Sequence, residues 1–359
     1  MILKTGLLAL VSWVAVVTVT SQRLHITIFY SGRIPVPPPR YGGTQRVIYW
    51  LGKALIQLGH QVTLIARQGS CIPGVELRSI DDASLADHSW TRLISDATDI
   101  IHCFSSPPMG LSKPMVLTIE GNGRPGERFP ANTIFVSRNH AAHHQSVHFV
   151  YNGIDPSEYQ CSTARDDYAV FLAKARWDVK NLRGAISVCR RAGVELHVIG
   201  SRNWPLGLHQ LLPPIRGVHY HGMLGQKEKV PLLARARCLV FPVRWQEPFG
   251  IALTEALVSG CYVAGTPYGS LPEIVTSDVG LLSTKAVALA EAVRKPQQFD
   301  PQTCRNRVLR GGLTHLDMAR RYLEYYERIL CTGRLGEPDE PPPQTQPGFE
   351  ANRLLDWEN

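Results

Sequence analysis

Short apolar runs of strand length alternate with stretches of helical periodicity along most of the chain. In the first half, the runs at 24–30, 61–66, 99–104, 114–119, 132–136 and 148–150 predict strands. The first of them, LHITIFY, is almost continuously apolar, as a strand buried on both faces must be. A Pro-rich loop and Gly42-Gly43-Thr44 follow it, and a helical pattern then runs to Leu58, closed by Gly59. The second half repeats the theme, with strands at 168–173, 194–199, 218–220 and 238–243 and helices near 183–191 and 227–237. This βαβα order predicts parallel sheets with helices on both faces. Residues 157–167 are polar and unpatterned and predict a linker. A last helix is predicted at 314–330, followed by a disordered tail at 331–359, where 336–347 is rich in Pro, Glu and Gln.

The most informative stretch is 241–275, FPVRWQEPFGIALTEALVSGCYVAGTPYGSLPEIV. It predicts a strand end, a tight loop, a short helix, a second strand and a Gly/Pro-rich loop. Gly250 lets the backbone come close to a ligand where the helix begins, and Gly260 stops the helix. A helix start presents unpaired N–H groups and a positive dipole end, which suit a phosphate. Glu247 stands in the loop and Glu255 in the helix, with seven residues between them. An anion-binding helix start flanked by two carboxylates suits a ligand that carries both phosphate and hydroxyls, such as a nucleotide-sugar. Two glutamates at this spacing also occur on ordinary solvated helix faces, so the context decides.

Composition narrows the picture. A chain of 359 residues with 44% apolar content can form two domains with real cores. The net charge of +8 is spread along the chain without a basic block. It fits anionic small molecules or a membrane surface better than nucleic acid. The eight cysteines show no Cys-x-x-Cys pairing, and Cys103, Cys238 and Cys261 lie in apolar runs. They read as buried, reduced thiols. Within an N-terminal apolar segment at 1–22, the run from Leu7 to Thr20 is short for the roughly 20 apolar residues that a span needs. It reads as an anchor, a signal or residues upstream of the true start. Cytoplasmic placement is expected, with peripheral contact at the inner face of a membrane left open.

The sequence resembles the retaining glycosyltransferases of family 4, whose architecture is the two-domain GT-B fold. The matching residues are Glu247-Pro-Phe-Gly-Ile251, Glu255-Ala256, Gly260 and Gly269-x-x-Pro272-Glu273-Ile274-Val275. Tyr151-Asn152-Gly153-Ile154-Asp155 matches the start of the family's hinge, although Asn-Gly also makes plain turns. The resemblance implies two Rossmann-like, doubly wound parallel-sheet domains facing across a cleft. The first would span 23–156 and hold the acceptor; the second would span 168–313 and hold the donor. The helix at 314–330 would return to the first domain.

By the same resemblance, Glu255 would accept hydrogen bonds from the ribose and Glu247 would hold hydroxyls of the transferred sugar. Backbone N–H groups of Phe249, Gly250 and Ile251 would face the sugar or its phosphate. Gly42 and Gly43 would approach the diphosphate, and Gly222 the nucleotide. The loop from Gly269 to Glu273 would close around the donor. Lys180 matches one of the family's two cations. Lys174 stands where the family usually has arginine, with Arg176 a competing candidate after a one-residue insertion. Glu120 replaces a histidine common in the family; Glu120, His102 and Asn152 are candidate contacts to acceptor or sugar. Transfer would retain the anomeric configuration and need neither metal nor other cofactor, with a glycan, lipid-linked or small-molecule acceptor. Neither Asp81-Asp82 nor Asp166-Asp167 makes the Asp-x-Asp pair that metal-dependent transferases use.

His140, His143, His144 and His148 form another cluster, in which a metal site lacks further ligands and a solvated helix face is expected. Three other functions remain open: a nucleotide-sugar epimerase of the same architecture, a phosphorylase, and a catalytically silent sugar-binding protein.

Overall fold

The structure, a computed structural model, describes residues 22–124, 127–200, 215–295, 299–336 and 354–359. The apolar segment 1–22 lies outside the described residues except for its last position. Among the described residues the chain forms two parallel sheets of six strands each. The first contains β1 (His25–Phe29), β2 (Gln61–Arg67), β3 (Glu76–Ile80), β4 (Ile100–Cys103), β5 (Met115–Ile119) and β6 (Thr133–Phe135). The second contains β7 (Tyr168–Leu172), β8 (Glu195–Ile199), β9 (Val218–Gly222), β10 (Cys238–Phe241), β11 (Tyr262–Gly265) and β12 (Gly280–Leu282). Their orders are β3-β2-β1-β4-β5-β6 and β12-β11-β10-β7-β8-β9. In each sheet the first strand starts a series that runs outward one way and then reverses. Both sheets therefore have a switch point, at β1/β4 and β7/β10, where loops diverge and leave a crevice beyond the strand ends.

Helices cover both sheets. They are α1 (Gly43–Gln57), α2 (Asp82–Ala86), α3 (Arg138–His143), α4 (Leu182–Ala192) and α5 (Gln226–Arg235). They continue with α6 (Ile251–Val258), α7 (Leu271–Ile274), α8 (Ala286–Arg294), α9 (Pro301–Arg310) and α10 (His315–Thr332). Strands β1, β4, β6, β10 and β11 are buried along their whole length, as sheets covered on both faces require. No described helix is long and apolar enough to cross a membrane. All eight cysteines are free, and Cys103, Cys238 and Cys261 are among the buried ones.

The two halves are joined at a close chain crossing. Ile154 bridges Thr314 at the start of α10, and a Cβ on Gly153 would stand 2.2 Å from the Thr314 carbonyl oxygen. Gly153 is there because two backbones meet, with no left-handed turn involved. α10 then lies on the first domain, where His315 reaches Gln57 at 3.0 Å.

Residues 157–167 lead into β7 and are pinned to the second domain, where the Arg165 guanidinium donates to the carbonyls of Ala234 (2.9 Å) and Ser259 (2.9 Å). One expectation changes here: 331–359 is not a uniformly free tail. α10 continues to Thr332, and residues 354–359 pack on the second domain. There Leu355 N–H donates to the Arg244 carbonyl (2.8 Å) and Glu358 bridges Lys285. Satisfied backbone groups, which composition does not report, decide that placement.

Candidate functional site

A cleft of about 420 Å³ opens between the sheets at their switch points. Gly42, Gly43, Glu120 and Asn152 line it from the first domain. From the second come Lys174, Lys180, Glu247, Phe249, Gly250, Ile251 and Glu255. Most stand in loops or helix starts beyond the carboxyl ends of strands, where an open parallel sheet receives its ligands.

The cleft floor is the start of α6. Gly250 is its N-cap at φ 78, a left-handed backbone that a side chain would strain. Gly42 is the N-cap of α1, and a Cβ on Gly43 would meet the Ile251 side chain at 3.5 Å. The N-termini of α1 and α6 thus face each other across the cleft, without an acidic residue in either first turn. Their positive ends converge on one volume.

Each glutamate is held at one oxygen by two donors. Glu247 Oε2 accepts from the ammonium of Lys180 and from Trp245 Nε1 at 2.7 Å. Glu255 Oε1 accepts from Lys229 and from the Tyr159 hydroxyl at 2.6 Å. Among the described residues, neither carboxylate has a hydrogen bond to its second oxygen. All four ionic side chains are buried, between 3% and 8% exposed. Burial pulls the Lys229 ammonium below its ordinary range, against the Glu255 charge. Breaking such a buried pair leaves a bare charge at a cost of about 3–5 kcal/mol.

Lys180 also lies 4.6 Å from the Trp245 ring centroid, and Lys174 lies between the rings of Tyr41 (5.0 Å) and Trp177 (4.4 Å). Burial, then the nearby Lys180 charge, pull Lys174 downward. Of the two candidates for the second cation, Lys174 lines the main cleft. Arg176 is exposed on an adjoining hollow with Lys174, Trp177, Gly200 and Met223.

Glu120 follows β5 and faces the same space. Asn152 Nδ2 donates to its Oε2 at 2.7 Å, while its Oε1 is buried without a partner among the described residues. Burial raises its carboxyl to about 7, partly offset by the Asn152 bond.

Several expected positions fall elsewhere. His102 is in the core of the first domain, within β4 and short of the strand end, and is fully buried. Its ring nitrogens meet the Tyr326 hydroxyl at 2.6 Å and Thr118 Oγ1 at 2.8 Å, so it contacts no ligand space. Gly222 ends β9, its carbonyl accepting from Gly200 N–H at 2.8 Å; the following Met223 and Leu224 line the cleft instead. The Gly269–Glu273 loop braces rather than covers. A Cβ on Gly269 would stand 2.2 Å from Glu247 N, and Ser270 N–H donates to the Glu247 carbonyl at 2.9 Å. Glu273 crosses to the first domain, accepting from Asn139 N–H (2.7 Å) and the Tyr151 hydroxyl (2.8 Å).

The histidine cluster is not a solvated face. His140 is buried and bonds the Gly121 carbonyl at 3.0 Å, and the His144 ring stacks on Phe135 at 4.7 Å. Both acidic pairs also have other work: Asp81 caps α2, while Asp166 and Asp167 pair with Arg235 and Arg237.

The sequence reading missed Lys229, Tyr159 and Trp245. Lys229 shares a face of α5 with buried Leu233 four residues on, and a lysine on an apolar stripe is the signal of a buried cation. Tyr159 comes from the linker, and no local pattern marks it.

Residues 168–296 match the family model described as Glycosyl transferases group 1. No curated protein matches the sequence. Among solved structures the chain is similar to AviGT4, a glycosyltransferase involved in avilamycin A biosynthesis. The two share 24% identity over 86% of this chain and 98% of that one, with a TM-score of 0.73. It is also similar to sucrose-phosphate synthase from Thermosynechococcus elongatus, at 16% identity, 86% and 100% coverage and a TM-score of 0.67. The Anabaena protein HepE in complex with UDP-glucose gives 14% identity, 85% and 100% coverage and a TM-score of 0.64. These likenesses carry the fold across nearly the whole length of each partner. Residues 168–296 thus match a glycosyl transferases group 1 model, within a chain whose two-domain fold is that of these glycosyltransferase structures.

Proposed function

We propose that the protein is a retaining glycosyltransferase that moves a sugar from a nucleotide-diphosphate sugar to an acceptor hydroxyl, without a catalytic metal. The observation that carries this reading is the pair of buried glutamates, each anchored at one oxygen and open at the other, beside converging helix starts. Open carboxylate oxygens suit hydroxyls, and convergent N–H groups with lysines suit a diphosphate. That HepE, of similar fold, was solved with UDP-glucose supports a donor of this class.

In this reading Glu255 takes the ribose hydroxyls and Glu247 those of the transferred sugar. The diphosphate lies between the starts of α1 and α6, with Lys180 and Lys174 beside it. Lys180 is paired to Glu247 before donor arrives. Donor binding turns that ammonium toward phosphate, leaving the carboxylate to the sugar. As the bond from anomeric carbon to phosphate oxygen breaks, charge grows on the departing phosphate, and fixed cations stabilise it. The acceptor oxygen bonds the same face of the carbon, and its proton passes to the departing phosphate oxygen. Glu120 and Asn152 stand on the opposite wall and serve the acceptor side.

Product analysis by NMR, in excess chelator, tests the proposal. The expected product keeps the donor's anomeric configuration, at a rate that Mg²⁺ or Mn²⁺ does not raise. An inverted product, or a rate abolished by chelation and restored by Mg²⁺ or Mn²⁺, would overturn it.

A further inference from the structure

The edge of the second sheet carries side chains that sugar transfer does not use. β9 is the edge strand and pairs in parallel with β8. In that register His197 lies opposite His219. Glu195 precedes His197 by two residues, so the strand period puts both on one face. His219 Nε2 lies 3.3 Å from Glu195 Oε2. Ligand-capable atoms of Glu195, His197 and His219 all fall within 4.8 Å of one another. An irregularity opposite Val198 and Ile199 gives β9 one extra residue, His221. Its ring centroid is 4.9 Å from that of His197. Among the described residues, His197 Nδ1 and His221 Nε2 are buried without a hydrogen-bond partner, which native folds seldom leave unexplained.

We propose that Glu195, His197 and His219 bind a divalent transition metal of the zinc class at this edge. Imidazole nitrogens with one carboxylate suit zinc, and three protein ligands leave a fourth position for water. The Tyr168 ring stacks on His197 at 4.1 Å and 7°, fixing the plane of that ligand. The metal would tie the edge strand to its neighbour. Ile199 at the end of β8, Gly200 just beyond it, and Met223 and Leu224 beyond β9 line the cleft wall. His197 is about 10 Å along the strand from Gly200, so this metal would steady the wall without touching the reacting atoms.

The test is calorimetric titration of the chelator-stripped, dialysed protein with zinc chloride alone, followed by thermal unfolding. One equivalent should bind and raise the unfolding temperature, and Co²⁺ should give the visible absorption of a tetrahedral site. His219→Ala and Glu195→Gln should each weaken binding at least tenfold with circular dichroism unchanged. His88→Asn, at an exposed histidine elsewhere, should leave it intact. Absence of stoichiometric binding, or binding that survives both edge substitutions, would overturn the proposal.

Discussion

Glu247 and Glu255 illustrate how a buried carboxylate is anchored and still left available. Each gives one oxygen to a lysine and a neutral donor, which offsets desolvation and fixes the second oxygen in place. Glu247 and Glu255 were legible from the Pro-Phe-Gly loop and the short helix behind it, and Lys174 and Lys180 only through their order in the family resemblance. Their partners were not, since Tyr159 and Lys229 reach Glu255 from segments 96 and 26 residues away. His102 misled for the converse reason: a histidine in an apolar strand finds its partners in the core. Glu120 yields a prediction at this scale. Its carboxyl is raised to about 7 from an ordinary 4.5, so between those values the folded chain holds a proton that the unfolded chain has lost. Stability should therefore fall as pH rises through that window. Glu120→Gln should flatten that slope and remove an ionisation near pH 7 from the acceptor kcat/KM. An unchanged slope and profile would remove Glu120 from the acceptor side.

Among the elements, α6 and the loops flanking it follow the sequence reading most closely. Gly250 and Gly260 both take left-handed backbone at the two ends of the helix, as the Gly punctuation predicted. What the pattern could not give was the target of the next loop. Gly269 permits a backbone approach to Glu247 that no side chain could share, and approach between separate segments leaves no periodic trace. Gly269→Ala should therefore displace the Glu247 loop. The expected cost is more than ~1 kcal/mol by thermal unfolding, with a loss of turnover larger than the loss of donor affinity. A variant with unaltered unfolding temperature and turnover would show that the loop tolerates the added methyl. Edge strand β3 escaped the reading because its alternation is mostly half-exposed, which leaves little apolar signal.

At the scale of the whole molecule, the βαβα order was enough to predict two parallel sheets, because covered parallel strands must be apolar throughout. The cleft follows from placing two switch points face to face. The contacts that set the sheets at their present distance were beyond reach. Glu273 on Asn139 and Tyr151, Asn122 on the Gln246 carbonyl (2.8 Å), and Ile154 on Thr314 each join residues more than 100 apart. The central claim is that this cleft takes a nucleotide-diphosphate sugar with its ribose on Glu255. Calorimetric titration of the chain and of Glu255→Gln with a panel of UDP-, GDP-, ADP- and dTDP-sugars tests it most directly. One donor should bind at a single site. Loss of a charge-assisted hydrogen bond, about 1.5–3 kcal/mol, should weaken it roughly 10- to 150-fold in the variant, with circular dichroism unchanged. If no member of the panel binds, or if a folded Glu255→Gln binds as tightly as the natural chain, the account is contradicted.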